Sequence, residues 1–297
     1  AAQLHRVSAP MGARYQLTFY DEPVTGGTFD PRDGSFFIFS RDVGGNEFGQ
    51  LYRFDFASGE ATLLTDGGRS QNGGVSWSTD GSRIAYASTR RNGADRDIWV
   101  MDPRTPSTDR LVLQNAGGGW GVMDWSPDDK QLLYHSPQNG GQIMARNLDG
   151  SGVAPIGAGD VGHFSPDGGH LAIRQNKSIR VVDLATDEAV ELLAEPPARL
   201  LSDFVWSPDG KQLALVMRQT AADTNALVLM TAVGEKRELR TRLRDTNLGG
   251  GLGFSPDGKQ FAFVRHIPST NDDVIIVVDA ETLEQRELKS SAAANYS

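Results

Sequence analysis

Two short polar segments carry the residues best suited to holding a ligand. One places Arg41, Asp42, Asn46 and Glu47 within residues 41–49, and the other places Arg90, Arg91, Asn92 and Asp95 within residues 90–96. Charged and amide groups at this density could bind a peptide terminus or dock a partner domain, because loops on a rigid scaffold are where binding usually resides. The same residue types also close hairpin turns by bonding their own backbone. Both readings stay open at this point.

Other chemistry is thinner. Asp124 and His163 each stand one residue before a recurring aromatic. With no third ligand at metal-like spacing, they read as a structural hydrogen-bonding pair rather than a metal or acid–base site. His5, His135, His170 and His266 form no H-x-x-x-H arrangement, and the acidic runs at 95–97 and 271–273 lack the calcium-loop pattern. Glycines recur at Gly26-Gly27, Gly73-Gly74, Gly117-Gly118-Gly119 and Gly249-Gly250-Gly251. A phosphate cradle would need a helix N-terminus after them, and none is expected. They read instead as packing where backbones crowd at a narrow axis. No cofactor and no metal is expected.

The elements that must position these residues follow from a repeat. Turn aspartates stand at Asp33, Asp80, Asp128, Asp167, Asp209 and Asp257, at intervals of 47, 48, 39, 42 and 48 residues. Such spacing matches the ~40–45 residues of a four-stranded propeller blade. The copies read FDPRDGSFF, WSTDGSRIA, WSPDDKQLL, FSPDGGHLA, WSPDGKQLA and FSPDGKQFA. An aromatic precedes each turn: Phe29, Trp77, Trp125, Phe164, Trp206 and Phe254. These six are expected to wedge between neighbouring sheets. Proline presets φ in the turn, aspartate bonds its own backbone, and glycine accepts positive φ.

Each copy continues with an apolar second strand, a third strand such as QLYRFDF or DIWVMDP, and a more polar outer strand. Val, Ile, Leu, Phe and Tyr bounded by Gly, Pro, Asp and Asn are the strand signal, and no stretch sustains a 3.6-residue apolar period. The expected fold is all-β: a six-bladed β-propeller of four-stranded antiparallel blades, with a seven-bladed ring or a fragment of one as the alternative. Modules run about 23–66, 67–115, 116–158, 159–194, 195–241 and 242–289, after an N-terminal segment 1–22 and before a tail 290–297. RYQLTF (14–19) resembles an outer strand, yet the sixth module has its own candidate at 285–289. Either the N-terminal strand closes the last blade, or a seventh blade has been lost upstream.

Composition narrows the classes. The 297 residues carry a formal net charge of −9, whereas a duplex-binding surface shows as a basic patch, so nucleic acid is not expected as a partner. The absence of cysteine excludes disulfides, thiolate metal sites and cysteine nucleophiles. No apolar run reaches the ~20 residues of a membrane helix. The opening Ala1-Ala2-Gln3 reads as a processed form or an excised piece.

The SPDG module resembles the WD-like repeats of TolB-type propellers and of the N-terminal propellers of the prolyl oligopeptidase family. A sharper resemblance to propellers of bacterial members of that peptidase family lies in QLTFYDEPV (16–24), FSRDVGGNEFGQLYRFD (39–55), STRRNGADRDIWVMDP (88–103) and GGGWGVMDWSPDD (117–129). In such peptidases, the resemblance implies, a following α/β-hydrolase domain carries a serine in a G-x-S-x-G elbow. This sequence has no such pentapeptide, and Gly150-Ser151-Gly152 falls in a hairpin turn. The resemblance therefore implies a non-catalytic binding or gating scaffold whose partner is a protein or peptide, including a separate hydrolase domain. The alternative is a free-standing TolB-like interaction propeller. A propeller enzyme with an axial cation is a third class. A periplasmic or secreted location is expected ahead of a cytoplasmic one.

Overall fold

The computed structural model describes residues 1–7, 13–116, 121–136, 141–175, 178–192, 198–219, 224–233, 239–245, 248–270 and 272–288. The tail 290–297, Gly117-Gly118-Gly119 and Asn271 lie outside these residues. Every regular element among them is a strand, and all pairings are antiparallel. The fold is a β-propeller of six four-stranded blades, and the chain divides into two compact units, 1–158 and 159–297.

The first unit holds a two-stranded pair and three blades. The pair is β1 (His5–Val7) with β2 (Arg14–Gln16). Blade 1 is β3 (Val24–Phe29), β4 (Phe36–Arg41), β5 (Gln50–Asp55) and β6 (Ala61–Leu63). Blade 2 is β7 (Asn72–Trp77), β8 (Ile84–Ser88), β9 (Asp97–Asp102) and β10 (Thr105–Leu113). Blade 3 is β11 (Gly121–Trp125), β12 (Gln131–Ser136), β13 (Gln142–Asn147) and β14 (Val153–Ala158).

The second unit repeats the plan. Blade 4 is β15 (Val161–Phe164), β16 (His170–Gln175), β17 (Ser178–Asp183) and β18 (Ala189–Leu192). Blade 5 is β19 (Ala198–Trp206), β20 (Gln212–Gln219), β21 (Thr224–Thr231) and β22 (Leu239–Asp245). Blade 6 is β23 (Leu248–Phe254), β24 (Gln260–Ile267), β25 (Asp272–Asp279) and β26 (Gln285–Leu288). Blade 6 thus takes its outer strand from its own module, β26 on β25. Residues Arg14–Gln16 pair with His5–Val7 instead, so the closing role expected of 14–19 is not what the pairing gives.

Period-two alternation explains why the strands stack as sheets. On β4, Phe36 and Ile38 face Ile84, Tyr86 and Met101 of blade 2, while Phe37 and Phe39 face the opposite side. Ala85, Ile98 and Val100 of blade 2 meet Trp125, Leu132 and Tyr134 of blade 3. Equivalent clusters join blade 4 to blade 5 and blade 5 to blade 6. Each fully buried Leu, Ile or Phe contributes about 1.5–3 kcal/mol of transfer free energy.

Four of the six blade aromatics pack in clusters that join neighbouring blades. Trp125 and Trp206 are buried in their clusters, and Trp77 and Phe254 pack half-buried against theirs. Phe164 is also buried. The three indoles share one register. Trp77 Nε1 donates to Thr28 Oγ1 (2.9 Å), Trp125 Nε1 to the Ser76 carbonyl (3.1 Å) and Trp206 Nε1 to the His163 carbonyl (3.0 Å). Each acceptor immediately precedes the aromatic of the preceding blade. Phe29 departs: it is 54% exposed and packs on Phe37 and Phe56 of its own blade.

The turn serine has two partners in every copy that carries it. In these five copies its hydroxyl donates to the aspartate two residues on and accepts the backbone N–H five residues on, as in Ser78 to Asp80 (2.7 Å) and Arg83 N to Ser78 Oγ (2.9 Å). Hydrogen bonds hold the turn carboxylates below their ordinary range. Ser82 and Ser78 bring Asp80 down to about 2, and Asp128 and Asp257 are lowered chiefly by Ser126 and Ser255.

Candidate functional site

The segment 41–49 links β4 to β5 and 89–96 links β8 to β9, both at the end of their blades opposite the SPDG turns. The first is closed by its own polar groups. Asp42 Oδ2 accepts Glu47 N–H (3.0 Å), and Asn46 Oδ1 accepts Phe48 N–H (3.0 Å). Glu47 adopts φ 62°, a conformation asparagine and glycine enter more readily. Arg41 is turned inward, with its guanidinium 4.0 Å from the Tyr20 ring centroid, 4.8 Å from that of Tyr52 and 3.7 Å from the Glu22 carboxylate.

The second segment is braced more heavily. Arg90 lies over the Trp99 ring at 3.2 Å and donates to the Tyr86 hydroxyl (2.9 Å) and the Asp109 carboxylate (2.5 Å). Burial, then the Asp109 charge, pushes the Tyr86 phenol far above its usual range. Arg91 grips both oxygens of the buried Asp97 (2.6 and 3.0 Å), with further bonds to Asp95 and to the Asn115 carbonyl. The Asp97 bond raises the Arg91 pKa. Asn92 receives Ala94 and Asp95 N–H on Oδ1 and donates to Asp95 Oδ2 (2.8 Å). The charged groups of this segment are thus engaged within blade 2.

Residues 66–72, which connect β6 to β7, bring the two segments together. Arg69 stacks over Phe48 (4.8 Å), and Gly49 O accepts Asn72 N–H (2.9 Å). Gln71 N–H donates to Thr89 Oγ1 (2.9 Å), its carbonyl accepts Thr89 N–H (3.0 Å), and its Oε1 accepts from Arg96 (3.1 Å). The residues that hold this connection are not among those the sequence singles out. Gln50, 4% exposed, bonds Thr65, Gly67, Gly68 and Ser70. Asp97 does the corresponding work in blade 2 through Asn115 N–H (2.8 Å). A signal existed: polar residues open the third strands QLYRFDF, DIWVMDP, QIMARNL and SIRVVDL.

Beside these loops a cleft of about 200 Å³ opens between β3 and β7. Its walls are Gly26, Gly27, Gly73 and Gly74, its hydroxyls come from Thr25, Thr28 and Ser40, and Ile38, Leu51 and Val75 add apolar surface. No charged side chain lines it. The glycines are not there because backbones crowd: a Cβ on Gly26, Gly73 or Gly74 would meet nothing within 4 Å. Gly26 (φ 68°) and Gly74 (φ 67°) instead adopt the left-handed region at matching irregularities in the β3–β4 and β7–β8 ladders. The result is open space along two inner strands.

Asp124 Oδ1 accepts Trp125 N–H (2.9 Å), and the His163 ring meets Phe204 edge-on at 5.4 Å. Among the described residues, no three His, Asp or Glu side chains are grouped to hold a metal ion.

No family model and no curated protein matches the chain. Solved structures do. An oligogalacturonate lyase from Vibrio parahaemolyticus superposes with a TM-score of 0.71 at 14% identity, over 99% of this chain and 88% of that one. Prolyl oligopeptidase B from Galerina marginata gives 0.66 at 17% identity, over 91% of this chain. TolB from Acinetobacter baumannii gives 0.51 at 19% identity, over 78% of this chain. The likeness is one of fold. It lies with TolB-type propellers and the propellers of prolyl oligopeptidase-like peptidases, as the SPDG module leads one to expect. The chain spans 60% of the TolB length and 42% of the peptidase. No hydrolase fold is present among the described residues.

Proposed function

We propose that the chain is a binding scaffold that holds a stretch of polypeptide at the end of blades 1 and 2, in the manner of a propeller that gates access to a separate hydrolase domain. The observation that carries this reading is the neutral, glycine-walled cleft, beside which the 89–96 loop has its arginines already engaged within blade 2. Such a site favours backbone amides and uncharged side chains over a phosphate, a metal or a strongly charged ligand. The braced loops would hold their shape before binding, which lowers the ordering cost of association. The test is retention of unstructured peptides on the immobilised protein, with the bound fraction sequenced. Retention of peptides with uncharged centres supports the reading, and retention of none overturns it.

A further inference from the structure

Residues 1–7 and 13–23 belong to no blade and form a strap whose backbone bonds are largely its own. Leu17 N donates to Leu4 O (2.8 Å), and Leu4 N to Thr18 Oγ1 (2.9 Å). Val24 N, at the start of β3, donates to Ala2 O (2.9 Å). Gln3 ties Tyr20 and Glu22 through its side-chain amide. Apart from that one backbone bond, the strap meets blade 1 through side chains. Leu4, Leu17 and Tyr20 pack half-buried on the aromatic side that Phe37 and Phe39 present, and the Arg6 guanidinium sits 5.0 Å from the Phe56 ring.

Its far end reaches the 41–49 loop. Glu22 Oε1 accepts Gly44 N–H (2.7 Å), Glu22 Oε2 faces Arg41 (3.7 Å), and Tyr20 covers the Arg41 guanidinium. The loop's own bonds, Asp42 to Glu47 and Asn46 to Phe48, close its tip. Residues 69–72 hold its Phe48–Gly49 end, and the strap holds its other side at Arg41 and Gly44.

We propose that the strap is a control element for the 41–49 loop: docked on blade 1 it fixes the loop beside the cleft, and lifted off it releases the loop. Glu22 is the positioning residue that transmits the change. A strap held by a few half-buried side chains opens at far lower free energy than a blade unfolds, which is what a two-state element requires. The loop's importance rests on the binding function proposed above, but the coupling itself needs no ligand to be seen.

The experiment is amide hydrogen exchange on the full chain, read separately for the strap, for residues 43–48 and for β4 and β5. Leu17→Ala should speed exchange of strap and loop together while β4 and β5 keep their protection. Glu22→Ala should speed the loop about tenfold, equivalent to about 1.4 kcal/mol, with the strap left in place. Glu22→Gln, which retains an acceptor for Gly44 N–H, should restore part of that protection. A faster strap with an unchanged loop in Leu17→Ala would overturn the proposal, as would equal loss of protection across all of blade 1. Because the readout involves no peptide, failure of the binding reading would leave this result distinguishable.

Discussion

The Asp129 carboxylate of blade 3 accepts the backbone N–H of Thr79 (2.6 Å) and Asp80 (3.0 Å) in the preceding blade's turn. Asp129 replaces the turn glycine found in the other five copies and carries φ 57° to do so. The neighbouring junction, between the turns of blades 1 and 2, is also close: a Cβ on Gly81 would lie 2.7 Å from Pro31 Cγ. Asp129→Ala keeps the strained φ and orphans two donors, so it should cost about 1–3 kcal/mol. Asp129→Gly relieves the backbone and should cost less. Urea midpoints of the two variants decide the order, and a costlier Asp129→Gly would contradict it.

Acid should loosen the turns. The carboxylates of Asp80, Asp128 and Asp257 are held below their ordinary value, so folding favours their ionised forms. That contribution is full above about pH 4 and fades as pH falls, reaching its folded-state limit at about 2 for Asp80. Urea midpoints between pH 5 and pH 2 should fall, and Ser78→Ala should move the Asp80 titration measured by NMR upward. An unmoved titration would place the cause elsewhere.

Blade 1 departs from the motif at Asp30, where the other copies carry serine. Its side chain is 0% exposed and is held by Arg104 of blade 2, whose guanidinium also reaches Asp33 (3.4 Å). Arg104→Ala leaves a buried carboxylate without its main partner and should cost about 3–5 kcal/mol. Adding Asp30→Ser restores the usual motif and should recover much of the loss. Additive losses in the double variant would contradict this account.

The indole register predicts a graded response. Trp125→Phe removes the bond to the Ser76 carbonyl and should cost about 1–2 kcal/mol, whereas Trp125→Ala also empties a packed site and should cost about 3–5 kcal/mol. Thermal melts separate the two, and equal losses would mean that the bond alone carries the contact.

Much of this architecture was legible because each turn repeats its chemistry within six residues: serine, aspartate and glycine act on their own backbone. Partners far along the chain were not. Arg90 and Arg91 look like surface charge in a polar turn, yet Asp109 stands 19 residues from Arg90 and Trp99 takes its guanidinium face. The strand at Arg14–Gln16 has the alternation of an outer strand, but three residues specify no particular edge, and β1 supplied a nearer one. The glycine pairs misled for a related reason. Absence of a side chain fits a crowded backbone and a bulge equally well, and only the positive φ at Gly26 and Gly74 tells them apart.

The claim that the cleft binds polypeptide is tested most directly by filling it. Gly73 lines the cleft, has no positive φ, and a Cβ there would meet nothing within 4 Å, so Gly73→Val should fold and melt as the parent does. If the cleft is the site, the affinity for a retained peptide, measured by isothermal titration calorimetry, should fall by at least about tenfold. Unchanged affinity in a variant that melts normally would contradict the account.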